Sequence, residues 1–209
     1  MIKELKDMRI ETMVSIWPQV EWNSENFEEM KQQGLLVKQN SGIDVQITFH
    51  GNNVFMDATN PRTRKYVWEK CKKNYADIRV KTFWLDEAEP EFTNYNYERY
   101  QYHAGPVSKV GNIYPREYSK LFYEGQKEIG QNNIVNLVRC AWVGSQRYGS
   151  LVWSGDIFSS YEDFRNILFE PKLLFFINDV GAKYLLPLTN AIYHHISMQF
   201  SKSCIIYLF

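Results

Sequence analysis

The 209 residues suffice for one domain with a sizeable core, and 24 Lys+Arg against 24 Asp+Glu leave no net charge. There is thus no basic field to draw nucleic acid and no acidic tail. No run approaches the ~20 apolar residues of a membrane span, and the charged start Met1-Ile2-Lys3-Glu4-Leu5-Lys6 is not a signal peptide.

In chain order, Ile2 to Arg9 reads as the end of a helix with Leu5 and Met8 on one face, and Thr12–Ile16 as a short apolar strand stopped by Trp17-Pro18. Trp17 then sits at a strand C-terminus, where it either lines a ligand pocket or packs. Residues 24–33 form a helix with Glu25, Glu28 and Glu29 in its early turns, the favourable end for acids, closed by Gly34. Val45, Ile47 and Phe49 alternate with polar residues as a half-buried strand. With the turn His50–Asn53 and a partner strand Val54–Met56, they make a small β excursion over residues 43–57. His50 reads as a solvated turn residue.

Asn60-Pro61 starts a helix, an N-cap followed by proline at the first helical position. Its stripe is Arg64, Val67, Trp68, Cys71 and Tyr75, and its basic residues Arg62, Arg64, Lys65, Lys70, Lys72 and Lys73 read as a solvated face. The next strand is Val80–Leu85. Glu91–Asn112 follows as a long connection rich in aromatics, and a loop that long is usually functional. It contains His103, for which a role over a bound ligand and a structural role both stand. Tyr114-Pro115 opens another helix with Tyr118, Leu121, Phe122 and Gly125 at helical spacing. Asn136–Trp142 and Leu151–Trp153 are further strands, and Ser159 with Glu162 makes a capping box for a last amphipathic helix. Apolar strand, loop and amphipathic helix alternate, which is βαβ architecture with a parallel sheet.

Two stretches carry chemistry. Phe83-Trp84-Leu85-Asp86-Glu87-Ala88-Glu89-Pro90 runs from a buried strand into three acids within four positions. Arg139-Cys140-Ala141-Trp142 leads through Gly144–Gly149 to Leu151-Val152-Trp153-Ser154-Gly155-Asp156, again apolar residues ending in a carboxylate. In parallel α/β folds the C-terminal ends of strands are where chemistry is placed, and a carboxylate there is costly to bury unless paired or employed. The competing reading of the first stretch is an acidic surface turn. Aromatic content of 16%, with 6 Trp and 14 Tyr, suits either sugar binding or a large aromatic core. The three cysteines, Cys71, Cys140 and Cys204, are odd in number and widely spaced, so neither a disulfide framework nor a Cys–His metal pattern follows. Cys140 reads as a core thiol.

Trp84-Leu85-Asp86-Glu87-Ala88-Glu89-Pro90 resembles the nucleophile motif of glycoside hydrolase family 31, commonly Trp-x-Asp-Met-Asn-Glu-Pro. Arg139 through Gln146-Arg147 to Trp153-Ser154-Gly155-Asp156 resembles that family's acid/base motif, and both are most similar in wording to its α-xylosidases. Glu87 and Ala88 stand where many members carry Met and Asn. The resemblance runs from about Lys3 to about Leu168 and implies an incomplete (β/α)8 TIM barrel over residues 1–169. Residues 170–209 form a tail that departs from the family's pattern, and His194-His195 within it is too isolated for a metal site. A whole barrel takes ~250 residues; four or five of its strands, from the central βα units, are expected here.

The resemblance implies a retaining exo-glycosidase acting on an oligosaccharide, with Asp86 as nucleophile and Asp156 as general acid and then base. Terminal α-linked xylose is the expected sugar and α-linked glucose the alternative, with an inert fragment that binds carbohydrate weakly as a third reading. Trp17, Trp84, Glu89, Arg139 and Trp153 are the expected substrate-side residues, Glu89 orienting its neighbours and Arg139 pairing with Asp86 or bonding a sugar hydroxyl. No metal or organic cofactor is implied, and no Gly-rich phosphate loop is present.

Overall fold

The computed structural model describes residues 1–42, 45, 51–90, 92, 97–153, 158, 160–163, 165 and 203–207. In chain order the helices and strands are α1 (Ile2–Asp7), β1 (Glu11–Ile16), β2 (Gln19–Glu21), α2 (Phe27–Gln32), β3 (Lys38–Gln39), β4 (Asn53–Phe55), α3 (Pro61–Asn74), β5 (Thr82–Leu85), β6 (Tyr100–Tyr102), β7 (Gly105–Pro106), α4 (Val107–Val110), α5 (Tyr114–Glu128), β8 (Asn136–Val138), β9 (Ser150–Val152) and β10 (Ser203–Tyr207).

The central sheet has the order β10-β1-β5-β8-β9, and each of its pairings is parallel. Parallel neighbours need a crossover. Helix α3 lies in the crossover from β1 to β5, and α5 in that from β5 to β8. The link from β8 to β9 is shorter and holds a single 3₁₀ segment, Ser145–Tyr148. Both helices start where expected. The Asn60 side chain accepts from the Arg62 N–H at 2.9 Å, and each helix carries proline in its first turn.

The core lies between the sheet and these helices. Phe83 packs on Trp68 of α3, ring centroids 6.4 Å apart, and on Phe122 of α5 at 5.0 Å. Phe83, Val14, Leu85 and Val138 are each fully buried, and burying such a side chain stabilises by about 1.5–3 kcal/mol. The helices approach closely because Gly125 has no side chain: a Cβ there would meet the Trp68 ring at 2.0 Å. A polar bridge ties α5 beneath the sheet. Asn136 donates to Gln126 Oε1 at 2.6 Å and accepts the Phe83 N–H at 3.1 Å, while Gln126 donates to the Lys81 carbonyl at 2.7 Å.

Several elements differ from the sequence expectations. Strand β4 pairs antiparallel with β2, Gln19 opposite Phe55, and its other edge meets Leu36 and Val37. All three β4 residues are buried, so it is an inner strand and both its edges are taken. Of the expected partner only Val45 is described; His50, Ile47 and Phe49 lie outside the described residues. Helix α2 begins at Phe27, later than expected, and ends before Gly34, whose φ of +67° lies in the left-handed region that suits glycine.

The described residues of the Glu91–Asn112 connection include regular elements: β6 pairs with β3 and with β7, and α4 follows. Arg64 is no solvated cation, since it donates to the Ala58 and Thr59 carbonyls and pairs with Glu117 at 3.1 Å, with both side chains largely buried. Met8 is exposed, and α1 buries none of its residues. Strand β8 ends at Val138 because the chain turns away at Arg139. The described cap of the late helix is Ser160, whose Oγ accepts from Asp163 N and donates to Asp163 Oδ2, both at 3.1 Å; Ser159 lies outside the described residues. Within the tail, Ser203–Tyr207 forms β10 alongside β1, with Glu11 opposite Ser203, and His194 and His195 lie outside the described residues.

Candidate active site at the strand ends

The register of the sheet aligns its strand ends. Ile16 pairs with Leu85, Leu85 with Val138, and Val138 with Val152. The next residues are Trp17, Asp86, Arg139 and Trp153, so these four expected site residues stand in one row at the C-terminal edge. The Asp86 N–H donates to the Ile16 carbonyl at 3.1 Å and the Trp153 N–H to the Val138 carbonyl at 3.2 Å, carrying the ladder one residue further. Successive side chains of a strand point to opposite faces. Phe83 faces the helices, so Trp84, and Asp86 one step beyond the strand, face away from them. Trp84 and Trp153 meet edge to face at 5.7 Å and 89°, the arrangement aromatic quadrupoles favour. Trp84 is buried, while Trp17 and Trp153 are half-buried.

Asp86 is buried, its residue only 7% exposed. Beneath it Tyr118 of α5 donates to the same Ile16 carbonyl at 2.9 Å. Burial holds the Tyr118 hydroxyl well above the ordinary tyrosine range, and the charges of Cys71 and Asp86 add to this. Beyond Asp86 the backbone of Glu87 is left-handed at φ +51°. A non-glycine residue persists there only where its surroundings over-determine it, at a cost of about 1–3 kcal/mol. The surroundings are an ion cluster: Arg139 Nη1 donates to Glu87 Oε1 at 3.2 Å, and Arg139 Nε lies 2.8 Å from Glu89 Oε1. Glu87 is almost fully buried, Arg139 about one-quarter exposed and Glu89 about one-third exposed. The bonds described for Arg139 thus go to the two glutamates flanking Ala88, and the fork of a guanidinium suits such a double contact.

Cys140 follows Arg139 and is held as a neutral thiol. Burial pushes its pKa up and the Glu89 charge adds to this; Arg139 opposes, and the Asp86 and Glu87 carboxylates add again. All three acids therefore lie within its field. Glu87 is the member of the site that periodicity does not single out. The available signal is charge density, three acids in four positions, one of which must share a cation when the strand end is buried. His103, expected over the site or in a structural role, is exposed, and its N–H donates to the buried Asp57 at 2.6 Å. Asp156 lies outside the described residues. Among the described residues no group of three His, Cys, Asp or Glu side chains is placed to hold a metal ion, and no helix is long and apolar enough to cross a membrane.

A parallel sheet with helices on one face and acids and tryptophans along one end is a segment of a (β/α)8 barrel, incomplete in this chain. The chain belongs to glycoside hydrolase family 31, since the sequence model of the glycosyl hydrolases family 31 TIM-barrel domain matches residues 1–170. It is 54% identical over 168 residues to a protein of Pseudescherichia vulneris named uncharacterized family 31 glucosidase ORF2, covering 80% of this chain and 32% of that one. It is 32% identical over 175 residues to α-xylosidase A of Aspergillus niger, covering 73% of this chain and 24% of that one. Among solved structures it is similar to a family 31 α-xylosidase from a soil metagenome complexed with xylose, with a TM-score of 0.77 and 61% identity over 80% of this chain and 25% of that one. The chain thus spans about a third or less of the length of these relatives.

Proposed function

We propose that this chain carries the catalytic centre of a retaining exo-α-xylosidase. The observation that carries the proposal is the position of Asp86, buried at the strand end beside the Trp84–Trp153 pair and level with Arg139. The similarity to α-xylosidases, one of them solved with xylose bound, supports the sugar. In this mechanism the Asp86 carboxylate attacks the anomeric carbon while Asp156 gives its proton to the departing glycosidic oxygen. A glycosyl ester of Asp86 results. Asp156 then takes a proton from water, which attacks the same carbon and releases Asp86 and the sugar. Two carboxyl groups about 5–5.5 Å apart are what this sequence of steps requires. Arg139, held by Glu87 and Glu89, places positive charge at the row that contains the nucleophile, and Trp17, Trp84 and Trp153 bound the sugar with apolar surface.

Two alternatives each have an observation in their favour. The relative named a glucosidase favours α-linked glucose. The short span against its relatives favours a chain that binds sugar without turning it over. The test is turnover of 4-nitrophenyl α-xyloside and α-glucoside by the 209-residue chain, beside its Asp86→Asn variant. Hydrolysis of the xyloside that the variant loses by roughly 10⁴-fold or more, the scale for losing a member of a catalytic unit, supports the proposal. Preference for the glucoside moves the specificity, and no hydrolysis by a chain that melts cooperatively leaves the inert reading.

A further inference from the structure

The central sheet contains one strand from outside the family match. The match covers residues 1–170, whereas β10 is Ser203–Tyr207. In the order β10-β1-β5-β8-β9 it stands at the end, with β1 as its one neighbour among the described strands. Every strand of a (β/α)8 barrel has a parallel neighbour on both edges, because the barrel is closed. Among the described residues, those that match the family give β1 a neighbour on one edge only, which is β5. The other edge is filled from the tail.

The register fixes which backbone groups meet at that edge. The Ile16 carbonyl accepts the Asp86 N–H from the β5 side. Along a strand the backbone groups of successive residues point to alternate edges, so those of Val14 and Ile16 serve β5 and those of Met13 and Ser15 serve β10. Met13 stands opposite Ile205 and Ser15 opposite Tyr207. In a parallel ladder the slanted bonds of a residue go to the two neighbours of the residue it faces. The Cys204 and Ile206 N–H groups thus point to β1, and the Ile205 N–H points away from it. With this edge filled β1 is an inner strand, and Thr12, Val14 and Ser15 are all buried. The same strand carries the carbonyl that holds Asp86.

An open strand edge is a row of unpaired N–H and C=O groups, a template for pairing with another chain. Recognition there is by main chain, so it asks chiefly for an extended segment of the right direction. Ile205, Ile206 and Tyr207 are residue types that favour extension. We propose that the outer edge of β1 is a strand-accepting surface, which the chain fills with its own Ser203–Tyr207. Unfilled, the edge takes an extended segment of a second copy; filled, it is closed to one. β10 therefore acts as a cap against self-association. This assignment needs no ligand and stands apart from the glycosidase reading.

The test combines amide hydrogen exchange, read by NMR, with light scattering on the 209-residue chain and on its Ile206→Pro and Ile205→Pro variants. Proline at 206 removes an N–H that points to β1. Proline at 205 removes one that points away, where an edge strand tolerates it. In the parent, Met13 and Ser15 are expected to be protected alongside Val14 and Ile16. In dilute Ile206→Pro, Met13 and Ser15 should exchange roughly 10-fold faster or more, the scale of a lost backbone hydrogen bond, while Val14 and Ile16 keep their bonds to β5. On concentration this variant should associate further than the parent or Ile205→Pro. Cys204→Pro, which removes the other N–H pointing to β1, provides the same comparison should Ile206→Pro not fold. Three results each overturn the cap: Met13 and Ser15 exchanging in the parent as freely as exposed amides, Ile206→Pro and Ile205→Pro behaving alike, or a freed edge with no added association.

Discussion

Arg139 Nη1 lies 3.2 Å from Glu87 Oε1, although 52 positions separate the two residues in the chain. The contact locks the turn after β5 to the end of β8. It requires Glu87 to hold a left-handed backbone, and it places the same guanidinium against Glu89. Removing the cation leaves a nearly buried carboxylate without its ion pair. Breaking a buried pair from one side costs up to ~3–5 kcal/mol. Arg139→Ala should therefore lower the midpoint of urea unfolding strongly, and Glu87→Gln with Arg139→Met together should cost less than the sum of the single changes. Additive losses in that double-mutant cycle would mean that the two side chains do not act on each other.

Gly125 sets the distance between α5 and α3. Its alanine variant would drive a Cβ to 2.0 Å from the Trp68 ring, and Trp68 is buried on all sides. Overpacking of this kind costs about 1–3 kcal/mol. Gly125→Ala should lower the melting temperature and alter Trp68 fluorescence, and a second change, Trp68→Leu, should recover part of the loss. An unchanged melt in the single variant would mean that the helices stand further apart than described.

The Asn136 side chain joins three elements that sequence proximity does not. With Asn136→Leu, the Phe83 N–H loses its acceptor and Gln126 Oε1 its donor. Each buried group left unsatisfied costs about 1–3 kcal/mol. The variant should destabilise by more than the exposed control Asn132→Ala, measured by chemical denaturation, and amide exchange at Phe83 should accelerate. Equal effects of the two changes would remove the bridge from the account of stability.

Cys71 provides a pH signature. Its thiol is wholly buried, which raises its pKa from 9.0 to about 12. A folded-state value above the unfolded one means that the unfolded chain loses the proton first. The stability this group contributes is complete below pH 9 and is lost as pH climbs to about 12. Over that window the slope for one proton is at most about 1.4 kcal/mol per pH unit. Stability–pH curves of the parent and of Cys71→Ala should run parallel below pH 8 and converge above pH 9. Curves that stay parallel to pH 12 would show that the thiol is exposed in the folded chain. Tyr114 and Tyr118 have the same sign, so the parent should unfold in strong alkali in any case.

Much of the framework follows from local sequence. Asn60-Pro61 and Tyr114-Pro115 mark helix starts because capping and the fixed φ of proline act within a single turn. The apolar run before Asp86 marks a buried strand because its acids cannot continue into a core. Those local rules, with the resemblance carried by the motif around Asp86, singled out Trp17, Asp86, Arg139 and Trp153 as candidates before any contact was known. Local rules did not give the partner of β4: antiparallel pairing with the adjacent 45–49 segment and pairing with distant β2 satisfy the same alternation. Arg64 read equally well as a buried stripe member and as a solvated cation, and only Glu117 on another helix settles it as an ion-paired side chain.

The amino-acid sequence by itself determined which strands end in carboxylates and tryptophans, since hydrophobic runs, caps and prolines are short-range properties. Only the tertiary structure decided that Trp17, Asp86, Arg139 and Trp153 share one level, that Arg139 is held between Glu87 and Glu89, and that β10 lies against β1. These depend on the register of parallel strands separated by long crossovers and on one left-handed residue at Glu87. A shift of one position would turn every side chain to the other face, and no local preference in the sequence fixes that register.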